Sequence, residues 1–387
     1  MKPNTVLAKP MIYVSRREEI CQLFGESYDP ERWNDWHWQM RHRLSKLEHF
    51  QGLLQLTGAE QRGLSIAPEK FAVAVTPHFA SLLDPEDPLC PLRLQVVPRE
   101  EELVVDAADM ADPCGEDEDS PVPGLVHRYP DRVLLLALDT CAAYCRYCTR
   151  SRLVSQGEMY PVTRRIDAIV AYLEEHTEVR DVLISGGDPL LMSDQPLDNL
   201  LGRLRAIPHI EFVRIGSRVP SFLPQRITPE LVAVLRKHCV WVSLHFCHVR
   251  ELTPEVAQAC DLLADGGIPL GSQTVLLKGV NDSEQALKDL FHGLLKLRVR
   301  PYYLYQCDPV VGTKHLRTTL QTGIDLISKL RGHTTGYAVP TYVIDAPGGG
   351  GKVPIQAETL LAYEKGKAMV RNWAGKIYNY ADPVEQG

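Results

Sequence analysis

From Arg128 to Asp345 the chain repeats one pattern: a short apolar run, then a longer segment with apolar residues at helical spacing. The short runs are Val133–Leu138, Asp181–Ser185, Glu211–Ile215, Val240–His245, Leu270–Leu277, Pro301–Gln306 and Tyr342–Asp345. Helix candidates lie between them, such as Arg165–Thr177, Leu197–Ala206, Pro229–His238, Pro254–Ala264 and Glu284–Leu297. Parallel strands need a crossover between neighbours, and a helix is the usual one. The alternation therefore predicts an α/β fold with right-handed crossovers, closed only in part: a (βα)6-type partial barrel. In such a barrel the functional side chains gather at the C-terminal ends of the strands.

The rest of the chain is organised around that barrel. Residues 1–110 read as a helical N-terminal extension. Within it, Trp33, Trp36 and Met40 follow helix-like spacing and predict one apolar face. Residues 106–123 are rich in Asp, Glu, Pro and Gly and read as a linker. The barrel is expected over 111–365, with a short C-terminal tail over 366–387. The formal net charge is −7 over 387 residues, so the basic footprint of a duplex nucleic-acid binder is missing. No apolar run reaches the roughly 20 residues of a membrane helix. The N-terminus lacks a signal-peptide core, so a cytoplasmic protein is expected.

Three of the ten cysteines crowd into Cys141-Ala-Ala-Tyr-Cys145-Arg-Tyr-Cys148, directly after the first barrel strand. Three thiolates on one short loop can hold three irons of a [4Fe–4S] cluster and leave the fourth iron open. A tetrahedral zinc site would want a fourth protein ligand, and there is no second C-x2-C here. This spacing after a strand resembles the radical S-adenosylmethionine (SAM) superfamily. The resemblance implies a cluster held by Cys141, Cys145 and Cys148, with SAM on the open iron. At the next strand end, Gly186-Gly187-Asp188 resembles that superfamily's glycine-glycine-acid motif, which contacts the SAM amino group.

A second unusual segment is Asp345-Ala-Pro-Gly348-Gly349-Gly350-Gly351-Lys352. Four consecutive glycines cost backbone entropy, and their N–H groups could wrap a phosphate or a ring. It is not a P-loop, since no Ser or Thr follows the lysine. Such a lysine could carry pyridoxal phosphate (PLP), or could be a surface lysine on a flexible loop. Together with the cysteine loop, this segment resembles the lysine 2,3-aminomutase family. So do Trp33-Asn-Asp-Trp-His-Trp-Gln39, Asp119-Ser-Pro-Val-Pro-Gly124, His127-Arg-Tyr-Pro-Asp-Arg132, Arg214-Ile-Gly-Ser-Arg218 and Arg331-Gly-His-Thr334.

That resemblance implies Lys352 as the PLP lysine on the loop Gly348–Gly351, with Arg128 and Arg132 on the PLP phosphate. It implies His245 and Gln273 at the SAM pocket. Arg150 would hold the substrate carboxylate, and Asp308 and Asp345 would hold a cationic side chain. The implied reaction is a radical SAM and PLP-dependent isomerisation of L-lysine to L-β-lysine, with arginine or another basic amino acid as the alternative substrate. An electron donor such as flavodoxin or ferredoxin and a homo-oligomer are implied as partners. There are three departures from the family pattern. No cysteine follows Cys307, and Ser283 stands where a partnering cysteine is expected, which argues against zinc. Tyr147 stands in the cysteine loop where histidine is usual. Cys247 follows His245-Phe where asparagine is common.

Overall fold

The computed structural model describes residues 10–70, 72–154, 162–364, 366–381 and 383. Its centre is one nine-stranded sheet with the strands in sequence order. These are β1 (Leu125–Tyr129), β2 (Arg132–Leu138), β3 (Asp181–Gly186), β4 (Phe212–Ser217), β5 (Trp241–His245), β6 (Leu270–Leu276), β7 (Arg300–Gln306), β8 (Thr341–Ala346) and β9 (Gly351–Pro354). Strands β2 to β8 are parallel, while β1 and β9 are antiparallel edges. Six helical crossovers join the parallel strands: Val162–Glu175, Asp194–Arg205, Pro229–Lys237, Pro254–Asp265, Glu284–Lys296 and Leu320–Leu330. All seven predicted strands and all five named helices are present. The sheet curls without closing: β1 and β9 share no ladder among the described residues. Across the seam, the Lys352 backbone N–H donates to Tyr129 Oη at 2.8 Å.

Residue alternation makes this a lined barrel. Val182 and Ile184 of β3, and Val242 and Leu244 of β5, are buried under the helices. Asp181, Leu183, Ser185, Ser243 and His245 alternate with them and face the lumen. The helices answer with apolar stripes such as Leu287, Leu290, Phe291 and Leu294. Each such side chain contributes about 1.5–3 kcal/mol by burial. Thr228, Thr253, Ser283 and Thr319 cap the starts of four crossover helices by accepting a backbone N–H. Ser283 thus has a capping role here. No helix among the described residues is long and apolar enough to cross a membrane.

The N-terminal extension is helical but breaks the expected apolar face. Asp35 adopts an extended conformation and caps the helix Trp36–Arg41, which separates it from Pro30–Asn34. The helical period is reset there, so Trp33 and Trp38 are the buried pair and Trp36 is only half-buried. The extension also anchors the cysteine loop. Arg43 Nη1 donates to the Cys141 carbonyl at 2.8 Å, Tyr144 N–H to the Ala74 carbonyl, and Arg146 N–H to the Gln95 carbonyl. The Arg146 guanidinium meets the buried Glu102 carboxylate at 2.6 Å.

Residues 106–123 are not a linker. Asp109 pairs with Arg317, Asp112 and Asp117 with Arg152, and Asp119 with Arg128. The segment's acidity is neutralised by arginines distant in sequence, so composition alone misreads it. Beyond the barrel, β10 (Leu360–Glu364), β11 (Lys367–Arg371) and β12 (Ile377–Ala381) form a separate antiparallel sheet. The division expected at residue 366 falls in its first turn.

Removing one partner of a buried ion pair leaves the other uncompensated, at about 3–5 kcal/mol. Glu102→Ala is therefore expected to lower the melting temperature clearly and to reduce iron retained per chain after anaerobic reconstitution. Calorimetry and iron analysis check both.

Candidate functional site

A cavity of about 700 Å³ runs through the barrel. Cys141, Cys145 and Cys148 line it from the loop after β2. Burial pushes the Cys148 thiol up to about 11, with the neighbouring Cys145 adding to the effect. Cys141 is raised as well, by burial first and then by the charges of Cys148, Asp188 and Cys145. Buried thiols that oppose one another's ionisation suit a multinuclear cation, which takes them as thiolates. Arg218 Nη1 lies 2.8 Å from Cys145 Sγ and supplies one fixed positive charge. The three cysteines therefore fit a cluster.

The glycine-glycine-acid turn packs tightly against its neighbours in the fold. A Cβ on Gly186, at φ +120°, would lie 2.4 Å from the Leu138 carbonyl oxygen, and one on Gly187 2.2 Å from that of Thr140. The close approach is to the root of the cysteine loop. Asp188 accepts from Leu190 N–H, from Ser217 Oγ at 2.7 Å and from Arg218 N–H at 2.7 Å. Its carboxyl is pushed up to about 6 by burial, against these bonds. All three residues line the cavity. His245 and Gln273 stand side by side in register on β5 and β6. His245 Nε2 is 2.9 Å from Tyr147 Oη, and burial holds the imidazole well below its ordinary pKa, neutral at pH 7.

The hairpin β8–β9 builds the other wall. Asp345 and Lys352 are directly paired across it, and Lys352 Nζ lies 3.0 Å from Asp345 Oδ1. The glycine run is the turn of this hairpin, with φ of +67° at Gly348 and +83° at Gly349, which favour glycine. Gly348 and Gly349 pack against the 106–123 segment, where a Cβ on Gly115 would meet Gly349 N at 2.9 Å, Gly351 lies against Tyr129, and none of the four glycines lines the cavity. Asp308, just past β7, is pushed up to about 7 by burial and by the Asp345 charge. Cys114 completes the group: one ligand atom from each of Cys114, Asp308 and Asp345 lies within 4.8 Å of the others. Its thiol is raised to about 12, by burial and then by the two carboxylates, and stays neutral.

Cationic groups border the same cavity. Arg128 on β1 pairs with Asp119 at 2.7 Å and donates to the Cys114 carbonyl. Arg132 opens β2 with its guanidinium 4.0 Å over the Tyr129 ring. Arg214 pairs with Asp181 at 2.8 Å inside the lumen. These, with Lys352, fit a phosphorylated pyridoxal. Arg150 is held by Glu116 in a bidentate pair as short as 2.6 Å, with Nη1 turned to Ser185 Oγ at 3.3 Å. Sequence reading assigned no role to Cys114, Glu116, Arg214 or the Arg218 guanidinium. The first two lie in the segment taken for a linker. Arg214 and Arg218 lie within a quoted motif but carried no spacing signal of their own.

The radical SAM superfamily model matches residues 136–291, and the lysine-2,3-aminomutase model matches residues 327–386. The L-lysine 2,3-aminomutase of Clostridium subterminale is 50% identical over 372 residues, covering 96% of this chain and 88% of that protein. That of Acetoanaerobium sticklandii is 52% identical over 361 residues, covering 93% of this chain and 87% of that protein. Among solved structures, native anSMEcpe with bound AdoMet aligns at a TM-score of 0.42 and 13% identity, over 52% of this chain and 59% of that one. With nearly full-length relatives at this identity, the chain belongs to the lysine 2,3-aminomutase family of radical SAM enzymes.

Proposed function

We propose that the chain moves the α-amino group of L-lysine to C3, giving L-β-lysine. The observation that carries this reading is the convergence of Asp308, Asp345 and Cys114 on one point of the cavity that also holds Arg150 and Lys352. A compact ammonium suits such a convergent acid pair, whereas a planar guanidinium asks for a parallel fork. The relatives named as lysine aminomutases support the same choice.

When bound, SAM on the reduced cluster supplies a hydrogen-abstracting radical, and PLP supplies a conjugated ring that spreads an adjacent unpaired electron. The chain's own residues do the rest. Cys141, Cys145 and Cys148 hold the cluster; Gly186, Gly187, Asp188, His245 and Gln273 shape the SAM side. Arg128, Arg132 and Lys352 hold PLP, with Gly348–Gly351 setting the hairpin that presents the lysine. Arg150, oriented by Glu116, binds the substrate carboxylate, and Asp308 and Asp345 bind its ammonium. Two anchored ends fix the carbon that reacts, and the barrel wall keeps water from the radicals. A homo-oligomer is supported by Tyr363, Ile377, Tyr378 and Tyr380, all exposed on β10 and β12. A cytoplasmic setting fits free cysteines throughout the described chain.

An anaerobic assay with reductant, SAM, PLP and either L-lysine or L-arginine tests the substrate: lysine is expected to be isomerised, and arginine turnover alone would overturn the choice. In Lys352→Ala the cluster absorbance should persist while β-lysine formation and the borohydride-reducible pyridoxal chromophore disappear. Cys145→Ser should lose the cluster absorbance. Asp308 must be ionised to hold an ammonium, so kcat/KM for lysine should fall about tenfold per unit below pH ~7. Asp308→Asn should flatten that limb and cost about a hundredfold in kcat/KM. It should also raise the melting temperature at pH 8 but not at pH 4. A carboxyl raised in the folded state loses stability as pH rises from its unfolded value to about 7.

A further inference from the structure

His245 faces the barrel lumen at the end of β5, beside Gln273. Which of its two ring nitrogens meets a ligand depends on what holds the other. Nε2 is held. Tyr147 Oη lies 2.9 Å from it, and the two rings are tilted by only 23° with centroids 5.7 Å apart. Nδ1 is the nitrogen left for a ligand. Burial, and then the Arg218 charge, keep the ring neutral, so it carries a single N–H proton.

The surroundings of the Tyr147 hydroxyl decide where that proton sits. Arg218 Nη1 donates to Oη. A guanidinium only donates, so the phenol oxygen accepts there and its own hydrogen goes to another partner. Gln95 Oε1, at 3.5 Å, already receives Arg218 Nη2. Cys247 Sγ, at 3.1 Å, is a weak acceptor, with burial pushing its thiol up to about 12. The imine nitrogen of His245 is the strong acceptor within reach. Cys247 Sγ also lies 3.3 Å from Nε2, but a thiol is a weaker donor than a phenol. The phenol hydrogen therefore points at Nε2, and the imidazole proton stands on Nδ1. Arg218 also reaches Cys145 Sγ at 2.8 Å, so the hold on His245 comes from the loop of the three cysteines as well as from β5.

We propose that Tyr147 is a positioning residue for His245: its hydroxyl fixes the imidazole so that Nδ1–H is offered to a hydrogen-bond acceptor of bound SAM. The proposal rests on the reading of His245 as a SAM-side residue.

The test measures the SAM dissociation constant of the anaerobically reconstituted protein with its cluster oxidised, by equilibrium dialysis. Tyr147→Phe keeps the ring and leaves Arg218 its bonds to Cys145, Gln95 and Glu251. It should weaken SAM binding about tenfold, the worth of one fixed hydrogen bond, with iron content and the KM for lysine at saturating SAM unmoved. An asparagine amide reaches where Nδ1 stands, and a glutamine amide where Nε2 stands. His245→Asn should therefore bind SAM more tightly than His245→Gln. Adding Tyr147→Phe to His245→Asn should cost less than about twofold, whereas a merely structural tyrosine would cost the same factor in both backgrounds. Unchanged SAM binding in Tyr147→Phe, an equal loss in the His245→Asn background, or binding by His245→Gln as tight as by His245→Asn overturns the proposal. The comparison of Asn with Gln decides even where Tyr147→Phe fails to fold. His245→Ala separates the two readings. If it binds SAM as tightly as the unaltered protein, the SAM-side reading of His245 falls; if it weakens binding while Tyr147→Phe does not, the positioning role alone falls.

Discussion

Three segments distant in sequence meet on the guanidinium of Arg218. It touches Cys145 Sγ from the cysteine loop, Tyr147 Oη from the same loop, Gln95 Oε1 from the N-terminal extension and Glu251 Oε2 from the turn after β5. Arg218 itself sits at the end of β4, where its backbone N–H is fixed by Asp188. A cation this buried is costly unless it is paired and bonded throughout. Here the pairing ties the barrel mouth, the metal-binding loop and the extension into one unit. Ser221 Oγ and the backbone N–H groups of Cys247 and His248 hold Glu251 in turn. The mouth of the barrel is thus organised by electrostatics, while the helices outside it are organised by apolar burial.

The lumen is built for function at some expense to stability. Arg128, Arg132 and Arg214 border it, and so do Asp308 and Asp345 with Lys352 between them and Tyr305. An acid pair held where one member is pushed to about 7 is unfavourable without a cation. In the chain by itself, Lys352 supplies that cation to Asp345. A bound substrate ammonium would take over this service once the lysine amine is engaged elsewhere. Strained or repulsive arrangements of this kind are expected where binding must be selective.

Periodicity made the barrel legible. Period-two alternation marks β3 and β5, and helical stripes with Thr or Ser caps mark the crossovers, because those signals are local. What escaped was set by long-range pairing. The acidity of 106–123 reads as solvation until Arg128, Arg152 and Arg317 arrive from elsewhere in the fold. Cys114 and Glu116 were hidden inside that misreading. The tryptophan segment failed for a local reason, since Asp35 can end one helix and cap the next, and periodicity counted straight through it. Of the residues named from the family resemblance, Cys141, Cys145, Cys148, Arg150, Asp308, Asp345 and Lys352 all border one cavity, while Gly348–Gly351 do not.

The hairpin β8–β9 turns the glycine run into a measure of length. Asp345 and Lys352 share a face because they are directly paired, and Ala346 pairs with Gly351 to close the turn. Strand side chains alternate faces, so shifting the pairing by one residue exchanges inside for outside. One glycine fewer would set Val353, now 40% exposed, opposite Asp345 and carry the lysine amine out of the barrel. The number of glycines, more than their suppleness, is what keeps the Lys352 amine on the cavity side.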